Sequence, residues 1–321
     1  MSRRLAVLLA TSLAVALLGS PGLAETWEEA LPGAPGGMVE VEFDLGEGLR
    51  PDPGSLTLRS HQVDEVRVEV LSDGWGSWNV EPKLEERAGR TRIEIRVTGA
   101  SSWMFGGPNV RVRIWVPEKT SVDVRSKGTP VRIEDLIGAV RLRTEDGGAE
   151  IRGIEGPVKL RVQDGDVEIE EINGDLDVSC SDGGIRATWV SGNVEARSTN
   201  GGIQLEHVGG HAVAKTLSGD IEVSEAAGPV EARTEDGQLA VSFVGAPAGS
   251  LVAEKGNIDV QLPTDTDADL DAAVTRGKVE IAEGLAANLE LTENRAEGAL
   301  GKGGPRLLIR SSRGWIRVHG R

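Results

Sequence analysis

The chain has 321 residues, of which 39% are hydrophobic and 27% are charged, and its formal net charge is −16. This composition is typical of a folded protein of about two domains, and the acidic balance argues against nucleic acid or an anionic bilayer as a partner. The single Cys excludes an internal disulfide framework and any multi-cysteine metal site. With only 3% aromatic residues and 43 Gly, the chain must fill its core with aliphatic side chains and turn often, which predicts many short strands.

Residues 1–24 have the pattern of a secretory signal peptide. Arg3 and Arg4 precede an apolar stretch over 5–18, and small residues lead up to Ala24. Cleavage after Ala24 would remove two Arg, so the mature charge would be 33 − 51 = −18. No later apolar run is long enough to cross a bilayer. We expect a protein exported to the periplasm, the cell surface or the medium; an uncleaved signal, which would anchor it in the membrane, is the alternative.

Residues 25–125 form the first region after the signal peptide. Apolar and polar residues alternate over 39–43, 66–70, 93–97 and 110–116, which is the pattern of strands with one buried face. These strands do not share the spacing found further along the chain. We predict a β-sheet region that caps the repeat and leads into it.

Residues 126–262 contain a sequence repeat that is marked by two columns of glycine, most of whose steps are 18 residues. The first column is Gly128, Gly147, Gly165, Gly183, Gly201, Gly219, Gly237, Gly256 and Gly277, and the second is Gly138, Gly156, Gly174, Gly192, Gly210 and Gly228. Each unit therefore has two corners.

Between the corners, alternate positions are apolar, and equivalent positions of successive units match, as in Ile185, Ile203 and Ile221. This pattern predicts an all-β fold: a single-chain parallel β-solenoid (β-helix) with coils of about 18 residues that stack about 4.8 Å apart. After residue 262 the period loosens, so residues 263–321 are predicted to be irregular coils and a C-terminal cap. The only weak helix candidate is 265–274.

The repeat unit resembles a known family. Val116-Pro117 ends a strand, and Val230 to Gly237 pairs an alternating strand with an Asp-Gly turn. These features are similar to the bacterial β-strand-repeat domain of unknown function that is labelled putative adhesin. The resemblance covers nearly all of the mature chain and implies an exported, surface-associated protein. It brings no catalytic residues, because its motif consists of turn and core positions.

Three polar columns have plain structural interpretations. A column of turn residues before the glycines, including Asp146, Asp164 and Asp182, is favoured by tight turns, so we predict no metal there and no cofactor. A basic column beside an acidic one is expected to form solvated ion pairs. Cys180 falls in an inward column with threonines, so it is expected to be a packed side chain rather than a nucleophile.

Aromatic residues provide the remaining functional signal. Trp75, Trp78, Trp103 and Phe105 lie in two apparent Gly-rich loops, where they would either cap the first coil or bind a partner. A second candidate groove lies at the corner six residues after the turn glycine. Its residues are Glu171, Trp189, His207, Glu225 and Phe243. The candidate partner-binding residues are therefore Trp75, Trp78, Trp103, Phe105, Trp189 and His207.

The sequence contains no catalytic motif, so we expect a non-enzymatic, adhesin-like module that binds or displays a glycan or an envelope protein. The alternatives are a β-helix enzyme that acts on polysaccharide, for which paired carboxylates are required, and a purely structural envelope protein. The oligomeric state is left open.

Overall fold

The computed structural model describes residues 25–34, 36–46, 54–73, 77–87, 89–100, 109–263 and 265–321. These residues form 29 strands and one short 3₁₀ helix, Glu283–Leu285. The strands make two long sheets, of 14 and 15 strands, whose neighbours are mostly parallel. The predicted all-β fold is therefore confirmed at this level.

The strands before the repeat are β1 (Glu25–Pro32), β2 (Met38–Leu45), β3 (Ser55–His61), β4 (Glu65–Asp73), β5 (Ser77–Arg87), β6 (Arg90–Ala100), β7 (Asn109–Pro117) and β8 (Ser121–Lys127). Those of the repeat are β9 (Val131–Ile137), β10 (Val140–Asp146), β11 (Ala149–Glu155), β12 (Val158–Asp164), β13 (Val167–Asn173), β14 (Leu176–Asp182), β15 (Ile185–Val190), β16 (Val194–Asn200), β17 (Ile203–Val208), β18 (Ala212–Ser218), β19 (Ile221–Ala226), β20 (Val230–Asp236), β21 (Leu239–Phe243), β22 (Gly249–Lys255) and β23 (Ile258–Leu262). The last are β24 (Ala268–Arg276), β25 (Val279–Ile281), β26 (Leu289–Thr292), β27 (Arg295–Leu300), β28 (Arg306–Arg313) and β29 (Ile316–Gly320).

Successive strands of the repeat alternate between the two sheets. The 14-stranded sheet, which we call sheet A, contains the odd-numbered strands β9 to β23, and the 15-stranded sheet B contains the even-numbered strands β8 to β22. In sheet B, Val140 pairs with Val158 and Val158 pairs with Leu176, so paired positions lie 18 residues apart in sequence. The chain thus crosses from one sheet to the other at each of the two glycine corners.

The core lies between the sheets and consists of stacked aliphatic side chains. Ile185 pairs with Ile203, and Ile203 pairs with Ile221, and all three are at most 2% exposed. The intervening residues point to solvent. The alternation that is visible in the sequence is therefore the alternation between core and water.

The turn glycines are required where backbone segments of successive turns touch. Gly219 has a φ of +144°, and a Cβ atom added there would overlap the carbonyl oxygen of Gly201. Because a side chain is excluded by both the backbone angle and this contact, only glycine fits.

The inward polar column stabilises the same turns. The hydroxyl groups of Thr216 and Thr234 donate to the carbonyl oxygens of Gly201 and Gly219, at 3.1 and 3.0 Å. Cys180 occupies the equivalent position, and its thiol lies 3.3 Å from the carbonyl oxygen of Gly165. It is buried, as expected from the column. Burial, with the nearby charges of Asp166, Asp182 and Asp164 as the next causes, raises its pKa to about 11.

The region after residue 263 differs from the expectation at one point. Residues 268–276 form strand β24, which pairs in parallel with β28 and antiparallel with β27, rather than the weakly indicated helix. Leu270, Ala272 and Val274 alternate inward and complete the core, so packing decides the outcome. No helix among the described residues has the length and apolarity needed to cross a membrane.

Candidate functional site

The second corner of the repeat holds a column of residues in an unusual backbone conformation. Five non-glycine residues in this column have φ values between 55° and 59°, in the left-handed region: Asp135, Glu171, Trp189, His207 and Glu225. Gly153 occupies the remaining position, with a φ of 66°. This conformation costs about 1–3 kcal/mol for a bulky residue, so a Trp and a His here point to a role beyond making the turn.

Trp189 and His207 form a stack on the outside of the molecule. Their ring centroids are 3.7 Å apart and their planes differ by 16°. Trp189 is 57% exposed, the highest value among the large apolar residues described as exposed. A large apolar side chain held in water at this exposure provides a rigid platform for a ligand.

Charged groups hold the His207 side of the stack. Nδ1 of His207 lies 3.0 Å from a carboxylate oxygen of Glu225, and the other oxygen of Glu225 lies 3.1 Å from a guanidinium nitrogen of Arg321. Nε2 of His207 lies 3.5 Å from the carboxylate of Glu206. The imidazole is thus fixed by its neighbours, and it in turn supports the indole.

An open depression of about 510 Å³ borders Trp189, on the side of the preceding turns of the chain. Gly153 lines one edge, and Glu171, Asn173 and Ser191 supply polar groups. The hydroxyl of Ser191 donates to the side-chain oxygen of Asn173 at 3.0 Å. The arrangement combines an aromatic wall with hydrogen-bonding side chains, which is the chemistry needed to hold a sugar ring.

A larger depression, of about 590 Å³, lies on the outer face of sheet B. Its charged side chains are already paired: Lys159 with Asp177 at 2.7 Å, and Arg141 with Asp123 at 3.5 Å. The hydrogen bond from Arg161, followed by that from Lys159, lowers the pKa of Asp177 to about 2 against the opposing effect of burial. Because these charges are satisfied internally, the depression near Trp189 is the better candidate.

The sequence-predicted site residues fall into two groups. Trp75, Trp103 and Phe105 lie outside the described residues, as does the side chain of Trp78, although its backbone belongs to β5. The predicted signal peptide, 1–24, also lies outside them. Trp189 and His207 are brought together, and sequence reasoning missed Asn173, Ser191 and Arg321. Spacing could have found Asn173 and Ser191, which lie two residues after Glu171 and Trp189, whereas only the fold brings Arg321 to Glu225.

Phe243 is a correction to the predicted corner groove. A register shift between Val223 and Ala226 pairs Ala226 with Phe243, so Phe243 lies in an inward position and is 0% exposed. Three steps along β19, from Val223 to Ala226, match only two steps along β21, from Val241 to Phe243. Strand β21 therefore has no residue at the outward corner position that Glu225 occupies in β19. The exposed column therefore ends at Glu225.

The carboxylates of the turn column lie next to one another. Burial, followed by the charges of Asp182 and Asp146, raises the pKa of Asp164. Asn200 donates from its amide to Asp182 at 2.8 Å. Among the residues that the structure describes, no group of three or more His, Cys, Asp or Glu side chains is arranged to hold a metal ion.

Comparison with known proteins supports the resemblance noted above. Residues 193–319 match the family model described as Toastrack DUF4097, which confirms the similarity to this repeat domain. A putative cell adhesion protein from Clostridium sporogenes ATCC 15579 is 13% identical over 92% of this chain and 100% of its own, with a TM-score of 0.21. A putative adhesin from Bacteroides fragilis NCTC 9343 is 10% identical over 92% and 97%, with a TM-score of 0.34. No curated protein matches the chain.

Proposed function

From the match of residues 193–319 to the toastrack DUF4097 family model, we propose that the chain is an exported, non-enzymatic binding module that holds a neutral glycan at the cell envelope. The observation that carries this proposal is the exposed stack of Trp189 on His207, beside polar groups. The apolar face of a sugar ring packs on an indole, while its hydroxyl groups exchange hydrogen bonds with side chains such as Asn173.

The signal-peptide pattern of residues 1–24 supports export. The repeat motif consists of turn glycines and core positions and contains no catalytic motif, which supports a non-enzymatic role. We also infer a solenoid with coils of about 18 residues, for which the register of β10 with β12 is the support. Strands β1 to β7 would cap one end. Such a scaffold holds the corner column rigid, so binding would involve little rearrangement.

A glycan panel, screened with the purified mature protein, tests the proposal. Trp189→Ala should weaken binding at least tenfold and leave the melting temperature within a few degrees of wild type, because the indole is outside the core. Trp189→Phe should retain part of the affinity, since it keeps an aromatic face. Leu217→Ala, which truncates another exposed apolar side chain, is the matched control and should bind normally.

Two outcomes would contradict the proposal. In the first, Trp189→Ala binds every glycan with the same affinity as wild type; in the second, wild type binds no glycan on the panel. A reducing-end assay in parallel separates binding from cleavage. Release of new reducing ends would show that the protein cleaves polysaccharide, which is the enzyme alternative, and would contradict the non-enzymatic binding module.

A further inference from the structure

At one position of each corner in the repeat, a backbone N–H can donate to a side chain from the preceding turn. Asp175 accepts from the N–H of Asn193 at 2.8 Å, and Asn193 accepts from the N–H of His211 at 2.9 Å. At this corner of sheet B, two of the remaining positions are Pro157 and Pro229, which have no N–H to satisfy.

The equivalent column on sheet A is interrupted. Asp166 accepts from the N–H of Gly184 at 2.8 Å, and Asp220 accepts from the N–H of Gln238 at 2.7 Å. Between them, Gly184 and Gly202 provide no side chain. The N–H groups of Gly202 and Asp220 therefore have no hydrogen-bond acceptor among the described residues.

Backbone geometry does not require glycine at the first of these positions. A Cβ atom on Gly184 would meet nothing closer than a carboxylate oxygen of Asp166 at 3.5 Å, an ordinary contact, and φ is not in the left-handed region. This contrasts with Gly219, where a Cβ atom would overlap the backbone. The missing side chains leave an open notch, part of a depression of about 540 Å³.

The notch lies on the strands that carry Trp189 and His207. Gly184 precedes β15 and Gly202 precedes β17, whereas Trp189 and His207 lie at the far ends of those strands. Five residues of extended chain separate Gly184 from Trp189, which is about 16 Å. The outward side chains between them include Arg186, whose Nε donates to Gln204 at 2.9 Å.

Charge and hydrogen-bonding capacity define the ligand. Asp166, Glu168, Asp220 and Glu222 line the depression against the single cation of Arg186, so an acidic ligand would be repelled. The N–H groups of Gly202 and Asp220, like that of Asp166 in the same depression, donate to no described residue. A neutral ligand would offer these donors an acceptor, and an amide carbonyl is a better acceptor than a hydroxyl. Amide-bearing sugars supply this group without charge.

We propose that the notch formed by Gly184 and Gly202 is a second subsite, at which the N–H groups of Gly202 and Asp220 bind the acetamido carbonyls of an N-acetylated oligosaccharide whose other end stacks on Trp189. This inference rests on the proposed function and names its ligand class. A ligand that occupies both subsites must span the width of sheet A, so it contains several sugar units.

The test titrates N-acetylglucosamine and its β-1,4-linked oligomers into wild type and Gly184→Asn by calorimetry. The new Asn side chain fills the notch and supplies the missing acceptor for the N–H of Gly202, as Asn193 does for His211. Wild type should bind the longer oligomers about tenfold or more tightly than the monomer, since two further hydrogen bonds form. Gly184→Asn should lose this length preference, bind the monomer as wild type does and melt at the same or a higher temperature.

Amide NMR separates the two subsites. The Gly202 and Asp220 amide signals should shift with the longer oligomers and not with the monomer, and Trp189→Ala should weaken binding of both. If Gly184→Asn bound each oligomer with the same affinity as wild type, the proposed subsite at the notch would be wrong. The proposed site at Trp189 would be unaffected by that result. Binding of a neutral peptide at the notch in place of the oligomers would also overturn it. Failure of wild type to bind any sugar would overturn the proposed function as well.

Discussion

At the residue scale, one buried carboxylate joins the last strands of sheet B. Asp271 on β24 is 6% exposed and lies 2.9 Å from Arg306 and 2.7 Å from Arg310, with Arg295 at 3.6 Å. The hydrogen bond from Arg310 is the largest cause of a lowered pKa for Asp271, and burial opposes it. The ion pairs therefore contribute to the attachment of β24 and β27 to the rest of sheet B.

We expect Asp271→Asn to lower the stability at neutral pH by about 1–3 kcal/mol, because three guanidinium groups lose their anion. A carboxylate whose folded pKa lies below its ordinary value of 3.8 stabilises the fold above that pH and loses this contribution as the pH falls below it. Melting curves from neutral pH to about pH 3 measure the change, and the difference between variant and wild type should shrink on acidification.

Glu254→Gln is the matched control, because Glu254 pairs with Arg233 at 2.7 Å but 48% of its side chain is exposed. Water replaces most of what this carboxylate loses, so its effect on the free energy of unfolding should be smaller. A larger loss at Glu254 than at Asp271, or no pH dependence at Asp271, would contradict this account.

At the scale of the single element, two glycines of similar sequence context have different physical roles. Gly219 permits the close approach of one turn to the next, and its φ suits no other residue. Gly184 has an ordinary backbone and open space beside it. Glycines at neighbouring positions of the repeat, such as Gly183 and Gly184, therefore include positions that the fold requires and positions that leave a surface empty.

Alanine substitution separates these roles. Gly219→Ala should destabilise the protein by about 1–3 kcal/mol or more, because the Cβ atom strains φ and displaces the carbonyl of Gly201. Gly184→Ala should be nearly neutral or slightly stabilising, since it restricts the unfolded chain without strain. Chemical denaturation of both variants measures the difference, and equal effects would show that the turns tolerate a side chain at either place.

At the scale of the whole molecule, stability depends on neighbours in the stack. Each strand inside the repeat is hydrogen-bonded to a neighbouring strand of its sheet on both sides, as β10 is to β8 and to β12. A unit of this length has too little core to fold alone and requires contact with the units above and below. Among the described strands, the free edges lie at the ends of the two sheets, and Pro82 and Lys83 in β5 discourage further pairing at one of them.

Deletion of one whole unit should preserve this arrangement. Removing residues 140–157 joins Ala139 to Val158, which matches the junction of Ala139 with Val140, so every later strand stays in its own sheet. The variant should melt in one cooperative transition, with circular dichroism typical of β-structure. Removing only 140–148 would move β11 into the place of a sheet B strand, and that variant should not fold. Similar behaviour of the two deletions would contradict the inferred coil length.

The alternation of apolar residues and the glycine spacing were sufficient to predict strands, inward faces and the pairing of equivalent positions such as Ile185 and Ile203. These features depend on local period and on repetition, which a one-dimensional pattern records. The inward position of Cys180 follows in the same way. The corner pair of Trp189 and His207 could be nominated by spacing as well.

Tertiary structure alone decided the remaining features. The loss of Phe243 from the corner column results from one register shift, and β24 is a strand because the core needed its side chains. Arg321 reaches Glu225 across 96 positions of sequence, and the N–H groups beside the notch at Gly184 find no acceptor in the folded chain. These features depend on which residues contact one another in the folded chain and which backbone groups stay without a partner. The repeat period of the sequence does not specify either.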